Sequence, residues 1–147
     1  MMIEFDIIKK KNILSIIPLL QQLNTKTPKA LLEKRILEIV DQNYECAGMY
    51  LNGKLIGISG IWYMTRHYIG KSSEIDHVVI DKDLQSKGYG KQFLDFIMQH
   101  IKSKGVEACE LNAYIPNVKS HVFYEREDFK KYGFHFLRVL REDGEFY

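Results

Sequence analysis

Gln85-Ser86-Lys87-Gly88-Tyr89-Gly90-Lys91 is the stretch whose residue types and spacing point most directly to chemistry. Two glycines one residue apart allow a tight turn with no Cβ in the way. The segment joins an apolar run ending in Val78-Val79-Ile80-Asp81 to a helical pattern that starts near Gln92. At such a helix start several N–H groups converge on one point, and the dipole favours negative charge there. Lys87 and Lys91 place formal positive charge beside it. The chemistry on offer is a cradle for a diphosphate or a similar anion.

The spacing excludes two common phosphate loops. A nucleotide P-loop needs a glycine five places before its Gly-Lys pair and a Ser or Thr after it. Here Gln85 stands five places before Gly90, and Gln92 follows Lys91. The dinucleotide fingerprint needs a third glycine for close helix–strand packing, and Phe93 occupies that place.

The form that fits is Gln-x-x-Gly-x-Gly followed by a basic residue, which resembles the acyl-CoA-binding loop of the GNAT superfamily of N-acyltransferases. Ser73-Glu74-Ile75-Asp76-His77-Val78-Val79-Ile80-Asp81 looks like the strand that precedes the loop in that superfamily, splays from its neighbour and binds the pantetheine arm. Downstream, Asn117, Ser120, Phe123-Tyr124 and Asp128-Phe129 stand at the family's spacing. Asp128 replaces the family's glycine, and Asp tolerates left-handed backbone better than most residues. The similarity runs from Ser73 to Phe129.

The resemblance implies an α/β (α+β) fold, with a mixed, mostly antiparallel central sheet of six to seven strands flanked by about four helices. It implies acetyl-CoA as co-substrate, with Gln85 and the amides of Ser86, Lys87, Gly88, Tyr89, Gly90 and Lys91 at the diphosphate. Backbone groups of Val78, Val79 and Ile80 would pair with the pantetheine arm. Asn117 resembles the residue that hydrogen-bonds this arm and is equally placed to cap its helix; Asn112 is a weaker candidate for the same contact. Tyr124 matches the usual proton donor to the departing sulfur, and an ordinary phenol, with a pKa of about 10, keeps its proton at neutral pH.

An amine acceptor arrives mostly as ammonium, so a base is useful. Glu74 and Asp76 are two apart, on one face of a regular strand. Glu74 ranks first as base and Asp76 second, each acting through water, and close carboxylates raise one another's proton affinity. Solvated strand residues, or a pairing with Lys71, are the alternative reading. The resulting expectation is an N-acetyltransferase that works by direct attack in a ternary complex, on a small-molecule or protein amine. Its rivals are an acyl-CoA sensor without turnover and an O-acyltransferase or user of longer acyl chains.

Composition narrows the class. At 147 residues the chain reads as one domain, 1–147, long enough to bury a core. With 21 basic and 19 acidic residues the formal charge is +2, and nothing calls for a nucleic-acid partner. Cys46 and Cys109, in different strand-like segments, suggest reduced buried thiols. No apolar stretch approaches the roughly 18 residues of a membrane span. The start, Met1-Met2-Ile3-Glu4-Phe5-Asp6, is unlike a signal peptide, so a cytoplasmic protein is expected. His67, His77, His100, His121 and His135 show no metal-ligand spacing, and no metal is expected. His77 could aid proton transfer, although a strand histidine with a satisfied hydrogen bond is the plainer reading. Trp62, Tyr63, His67 and Tyr68 form an aromatic cluster that could line an acceptor pocket, cover the sheet edge or meet a second subunit. A homodimer is compatible with such folds.

The elements that must position these residues follow from pattern. Ile3 to Ile8 reads as a strand. Asn12 can cap a helix carrying Ile13, Ile16, Ile17 and Leu20, and Thr27-Pro28 opens a second one. Tyr44 to Leu51 and Lys54 to Met64 are strands joined by Asn52-Gly53, a strong hairpin signal. A polar link at Arg66 to Ser73 leads to the cofactor strand. Phe93, Leu94, Ile97 and Ile101 mark one face of the helix after the loop, closed by Lys102, Lys104 and Gly105. Val106 to Ala113 reads as a strand, Asn117 to Asp128 as a short helix, and Phe129 to Leu140 as one or two further strands.

Overall fold

In the computed structural model, which describes residues 2–147, the sheet is organised around the Asn52-Gly53 turn. Both residues take left-handed backbone, with φ 50° and 82°, as the two-residue type I′ hairpin requires. The turn joins β2 (Tyr44–Leu51) to β3 (Lys54–Arg66), and β4 (Gly70–Ile80) folds back along β3. β1 (Ile3–Ile7) flanks β2, and these three pairings are antiparallel. The chain then crosses through α3 (Tyr89–Ser103) and returns as β5 (Ala108–Leu111) beside β4. The Glu107 N–H donates to Lys71 O at 2.7 Å, tying the start of β5 to the start of β4. The sheet is mixed, in the order β1-β2-β3-β4-β5.

Alternation along the strands separates two layers. Tyr44, Cys46, Ile58 and Val79 pack with Leu20 of α1 (Ile17–Leu23) and with Leu32 and Ile36 of α2 (Lys29–Ile39). On α3, Phe93, Leu94, Ile97 and Ile101 are all buried, as their helical spacing predicts, and Phe5 of β1 stacks on Phe93 and Phe96. Glu45 of β2 ties this helix down. Its Oε1 accepts from Tyr63 Oη at 2.6 Å and from Lys104 Nζ at 2.9 Å, and it lies 3.0 Å from His100 Nε2. Burial works to raise the Glu45 carboxyl, but these hydrogen bonds outweigh it and hold the group below its ordinary value. Gly105 follows α3 with φ 83°, the left-handed stop expected there.

Packing divides the chain into Met1–Glu110 and Leu111–Tyr147. In the second unit α4 (Val118–Arg126) is capped by Asn117, whose Oδ1 accepts from Ser120 N at 3.3 Å. Asp128 ends it with φ 70°, and Phe129 N–H reaches back to Tyr124 O at 2.9 Å. Aspartate therefore does take the left-handed place that the family gives to glycine.

Several expectations need correction. The sheet has five strands, not six to seven. Residues 129–140, read as one or two strands, carry neither strand nor helix. Asn12 caps nothing. It lies inside a 3-10 segment, Lys10–Ile16, that precedes α1, although Ile13, Ile16, Ile17 and Leu20 do face the core. Thr27 is buried and makes no cap; Pro28 holds the cap position and its carbonyl accepts from Leu32 N at 3.1 Å. The polar link before the cofactor strand is mostly paired strand. β3 runs through Arg66 and β4 begins at Gly70, since polar side chains at an exposed sheet end do not prevent backbone pairing.

Candidate active site

β4 does not pair evenly with β3. Val79 stands opposite Ile58 and Asp76 opposite Gly60, so three steps on β4 match two on β3. One extra residue is therefore inserted at His77-Val78, a β-bulge that bends the strand and re-aims its side chains. His77 carries the strain, with φ 36°. Asp76 and His77, adjacent in sequence, both reach partners on the α1–α2 face. His77 Nε2 and Tyr44 Oη share a hydrogen bond of 2.6 Å, and Trp62 Nε1 donates to Asp76 Oδ2 at 3.4 Å. Tyr44 and Trp62 face each other across β2 and β3 with ring centroids 5.1 Å apart.

Gly60 makes the room for this cluster. A Cβ there would lie 2.4 Å from His77 Nε2 and 2.8 Å from Tyr44 Cε2. Burial pushes the His77 imidazolium below its ordinary value, against the pull of the Asp76 carboxylate, and favours a neutral ring. Its Nδ1 is buried with no hydrogen-bond partner among the described residues. Burial likewise holds the Tyr44 phenol far above its ordinary value, so it keeps its proton.

Glu74 and Asp76 do lie on one face of β4, ahead of the bulge, paired with Trp62 and Gly60 respectively. Their neighbours differ. Glu74 Oε1 is 3.8 Å from Arg66 Nη2, and the same guanidinium approaches Glu110 Oε2 at 3.5 Å. Tyr68 Oη also donates to Glu110. Asp76 is exposed, and its Oδ1 accepts from the His77 backbone at 2.8 Å. Lys71, the partner that the alternative reading offered these carboxylates, donates instead to Lys104 O at 3.3 Å.

The loop after β4 opens with a short 3-10 turn, Lys82–Leu84, capped by Asp81, whose Oδ1 accepts from Asp83 N at 3.0 Å. Gln85 Nε2 donates to Ile80 O at 3.1 Å, pinning the loop to the end of β4. Ser86 and Gly88 then both take left-handed backbone, φ 63° and 81°. Turns of this kind point successive N–H groups into one concavity suited to an anion. Gly88 is the N-cap of α3, with no side-chain cap and no acid in the first turn. The first helical bond runs from Gln92 N to Gly88 O, so the N–H groups of Tyr89, Gly90 and Lys91 have no acceptor within the helix. Lys91 pairs with Asp95 at 3.3 Å, and Lys87 is exposed beside the turn. Among the described residues no side chain caps this helix N-terminus, and a turn of this form is chemically suited to an anion.

Three expected site residues lie in the second unit. Tyr124 is half-buried on α4, with its ring against Phe123 at 5.2 Å and Phe129 at 5.7 Å. Asn117 is the helix cap already described, and Asn112 is exposed after β5. Residue types alone did not single out Tyr44, Gly60 or Arg66. The available signal was Gly60 in an otherwise bulky strand, which marks a close approach. The aromatic cluster divides: Trp62 serves the bulge, whereas Tyr63 bonds Glu45 on the α3 side.

Both cysteines are free thiols. Burial pushes Cys46 and Cys109 up to about 12, so neither is a ready thiolate nucleophile. Among the described residues no cluster of His, Cys, Asp or Glu side chains has the makings of a metal site. None of the helices among them is long and apolar enough to cross a membrane. A cavity of about 370 Å³ lies between Asn43, Tyr63, Met64, Thr65, Lys71 and Ser72. It sits toward the start of β4, away from the bulge and the loop.

Comparison with known proteins bears on the family and the fold. Residues 15–129 match the family described as Acetyltransferase (GNAT) family. Over 57 residues the chain is 37% identical to the glucosamine 6-phosphate N-acetyltransferase of Arabidopsis thaliana, a match covering 39% of this chain and 36% of that protein. The chain thus matches little more than a third of that relative's length. A crystal structure of glucosamine-6-phosphate N-acetyltransferase from Arabidopsis thaliana superposes with TM-score 0.72 at 21% identity, covering 96% of this chain and 100% of that one. An aminoglycoside acetyltransferase from an uncultured soil metagenomic sample superposes with TM-score 0.79 at 17% identity, covering 95% and 97%. These two likenesses establish the fold.

Proposed function

Since the chain belongs to the acetyltransferase (GNAT) family, we propose that it transfers the acetyl group of acetyl-CoA to a primary amine by direct attack in a ternary complex. The observation that carries this reading is the bulge at His77-Val78 followed by a left-handed turn into an uncapped helix N-terminus. In a single stretch of chain these supply a bent strand for the thioester arm and a cradle for the diphosphate. The matched span, 15–129, runs through both compact units, which supports treating 1–147 as one acetyltransferase domain.

In this mechanism the amides of Ser86 to Lys91 hold the diphosphate, and backbone groups of Val78, Val79 and Ile80 align the pantetheine arm. A β4 N–H facing the thioester oxygen stabilises its developing charge, a contact worth about 2.7–4 kcal/mol. Glu74, or Asp76 after it, takes the ammonium proton through water. Their placement supports this assignment, since both carboxylates lie on one face of β4 immediately ahead of the bulge. Tyr124 donates a proton to the departing sulfur, and Asn117 and Asn112 contact the arm. Two free thiols fit a reducing cytoplasm.

The acceptor panel starts from the relatives: glucosamine 6-phosphate, an aminoglycoside, then a peptide amine. Release of the CoA thiol is the readout. Turnover with at least one amine is expected. Binding of acetyl-CoA with no turnover on any amine would leave a sensor in place of an enzyme. Absence of binding heat with acetyl-CoA would remove the reading altogether.

A further inference from the structure

Arg66 is the last residue of β3, paired with Gly70 where β4 begins. Trp62 stands opposite Glu74, and Arg66, four residues further on, returns to the same face of the sheet. Its guanidinium lies between two carboxylates, with Nη2 3.8 Å from Glu74 Oε1 and Nε 3.5 Å from Glu110 Oε2. Both are ion pairs without hydrogen bonds, which between these groups close to about 2.7–2.9 Å. Nε is buried with no hydrogen-bond partner among the described residues. Glu110 accepts from Tyr68 Oη instead. A guanidinium offers five donors in a rigid fork that matches a carboxylate or a phosphate. The carboxylates around Arg66 balance its charge and leave that fork unfilled. Its side chain is 37% exposed, so a ligand on this face can reach it.

We propose that Arg66 selects the acceptor by charge: it binds a carboxylate or phosphate group borne by the same molecule as the reacting amine. The inference rests on the acetyl-transfer reading, in which Glu74 draws off the ammonium proton. An amine served by Glu74 is already beside the guanidinium, and an anionic group a few bonds away meets it. Glu74 and Arg66 thus form adjacent sites of opposite sign, which fit a molecule carrying both charges. Glu74, Asp76 and Glu110 keep the rest of this face acidic, so an anion is drawn to the guanidinium. Lys71 does not compete, because it turns to the α3 side and donates to Lys104 O at 3.3 Å. Such an acceptor differs in class from a plain or polycationic amine, whose second charge Arg66 would repel.

Matched acceptors test it: glucosamine 6-phosphate against glucosamine for a phosphate, and β-alanine against β-alaninamide for a carboxylate. In the unaltered protein the anionic member of at least one pair should show kcat/KM about 10-fold higher or more. The pair that responds tells phosphate from carboxylate. Arg66→Gln should lower the anionic member about 10-fold more than its partner, as loss of a charge-assisted hydrogen bond predicts. Intrinsic amine reactivity cancels in that ratio. Arg66→Lys, which keeps the charge without the fork, should retain part of the preference, and it decides should Arg66→Gln not fold. No preference in either pair, or equal losses for both members in Arg66→Gln, would overturn the assignment and leave Arg66 a structural ion pair. Turnover with no amine counts against the acetyl-transfer reading instead. Calorimetry with the same pairs then decides for Arg66: binding of an anionic member that Arg66→Gln weakens supports it, and no such binding overturns it.

Discussion

Gly60→Ala probes the bulge most directly, because the added methyl group has nowhere to go. It would lie 2.4 Å from His77 Nε2 and 2.8 Å from Tyr44 Cε2, where ordinary contact begins at 3.4 Å. The two rings must withdraw by about 1.0 and 0.6 Å (3.4 − 2.4 and 3.4 − 2.8). They are joined by a 2.6 Å hydrogen bond, and Tyr44 is further held against Trp62. Overpacking of this kind costs about 1–3 kcal/mol. A buried donor or acceptor left unpaired adds about 1–3 kcal/mol where the bond breaks. Against these, alanine in a strand regains up to about 1 kcal/mol over glycine. The net expectation is a destabilisation of about 2–3 kcal/mol, read by urea unfolding.

Gly57→Ala is the control. Its nearest neighbour is the terminal methyl of Met49 at 2.9 Å, which can swing aside, so a loss below about 1 kcal/mol is expected. Activity should follow the same order, since a shift of about 1 Å at a reacting centre costs on the order of 100-fold. Adding His77→Ala to Gly60→Ala removes one clashing ring, and the pair should be less destabilised than the sum of the single variants. If Gly60→Ala unfolds within about 0.5 kcal/mol of the unaltered protein and keeps its kcat/KM, a margin typical of a neutral surface change, the Tyr44–His77 packing does not hold the bulge.

Tyr124→Phe should lower kcat by about 10-fold or more while leaving acetyl-CoA affinity unchanged in calorimetry, as loss of a proton donor requires; an unchanged kcat removes that role. Glu74→Gln should depress kcat/KM most at low pH, where the acceptor is protonated, and an identical pH profile would pass the base role to Asp76 or to bulk water. Stability should fall as pH drops below about 6.5. There the unfolded chain protonates His77 while the folded state, whose value is lowered, resists. One such group contributes a slope of up to about 1.4 kcal/mol per pH unit. His77→Asn should flatten that limb in urea titrations, and an unaltered slope would show that the ring titrates freely.

The parts of this protein that were legible in its sequence are those in which a local rule suffices. Asn52-Gly53 specified a hairpin because only left-handed residues fit its turn, and Phe93, Leu94, Ile97 and Ile101 specified a buried face by spacing alone. The loop at Gln85 to Lys91 was readable only in part: Gly88 encodes the left-handed angle ahead of α3, whereas Gly90 is already helical and Ser86 takes the other left-handed place. What escaped notice depends on residues far apart in the chain. Arg66 meets Glu74 only because a tight turn brings β3 back beside β4, and the polar residues around that turn resemble a linker when read in order. The strand pattern of 132–140 was visible, but whether a strand forms depends on a partner edge that the segment itself does not encode.

The bulge is the clearest case. Val78-Val79-Ile80 reads as an uninterrupted strand, and no glycine or proline marks the inserted residue. Its cause lies across the sheet at Gly60, where the absent Cβ leaves the volume that His77 and Tyr44 fill. Register decides which residue stands opposite that gap, and one extra residue on β4 turns two consecutive side chains toward the same layer. Asp76 therefore meets Trp62, and His77 is driven into the core beside it. Residue type could nominate Glu74 and Asp76 for proton transfer, but only cross-strand pairing shows that they sit where the strand stops being regular. It is that irregularity, more than either carboxylate, that distinguishes this face of the sheet from an ordinary solvated one.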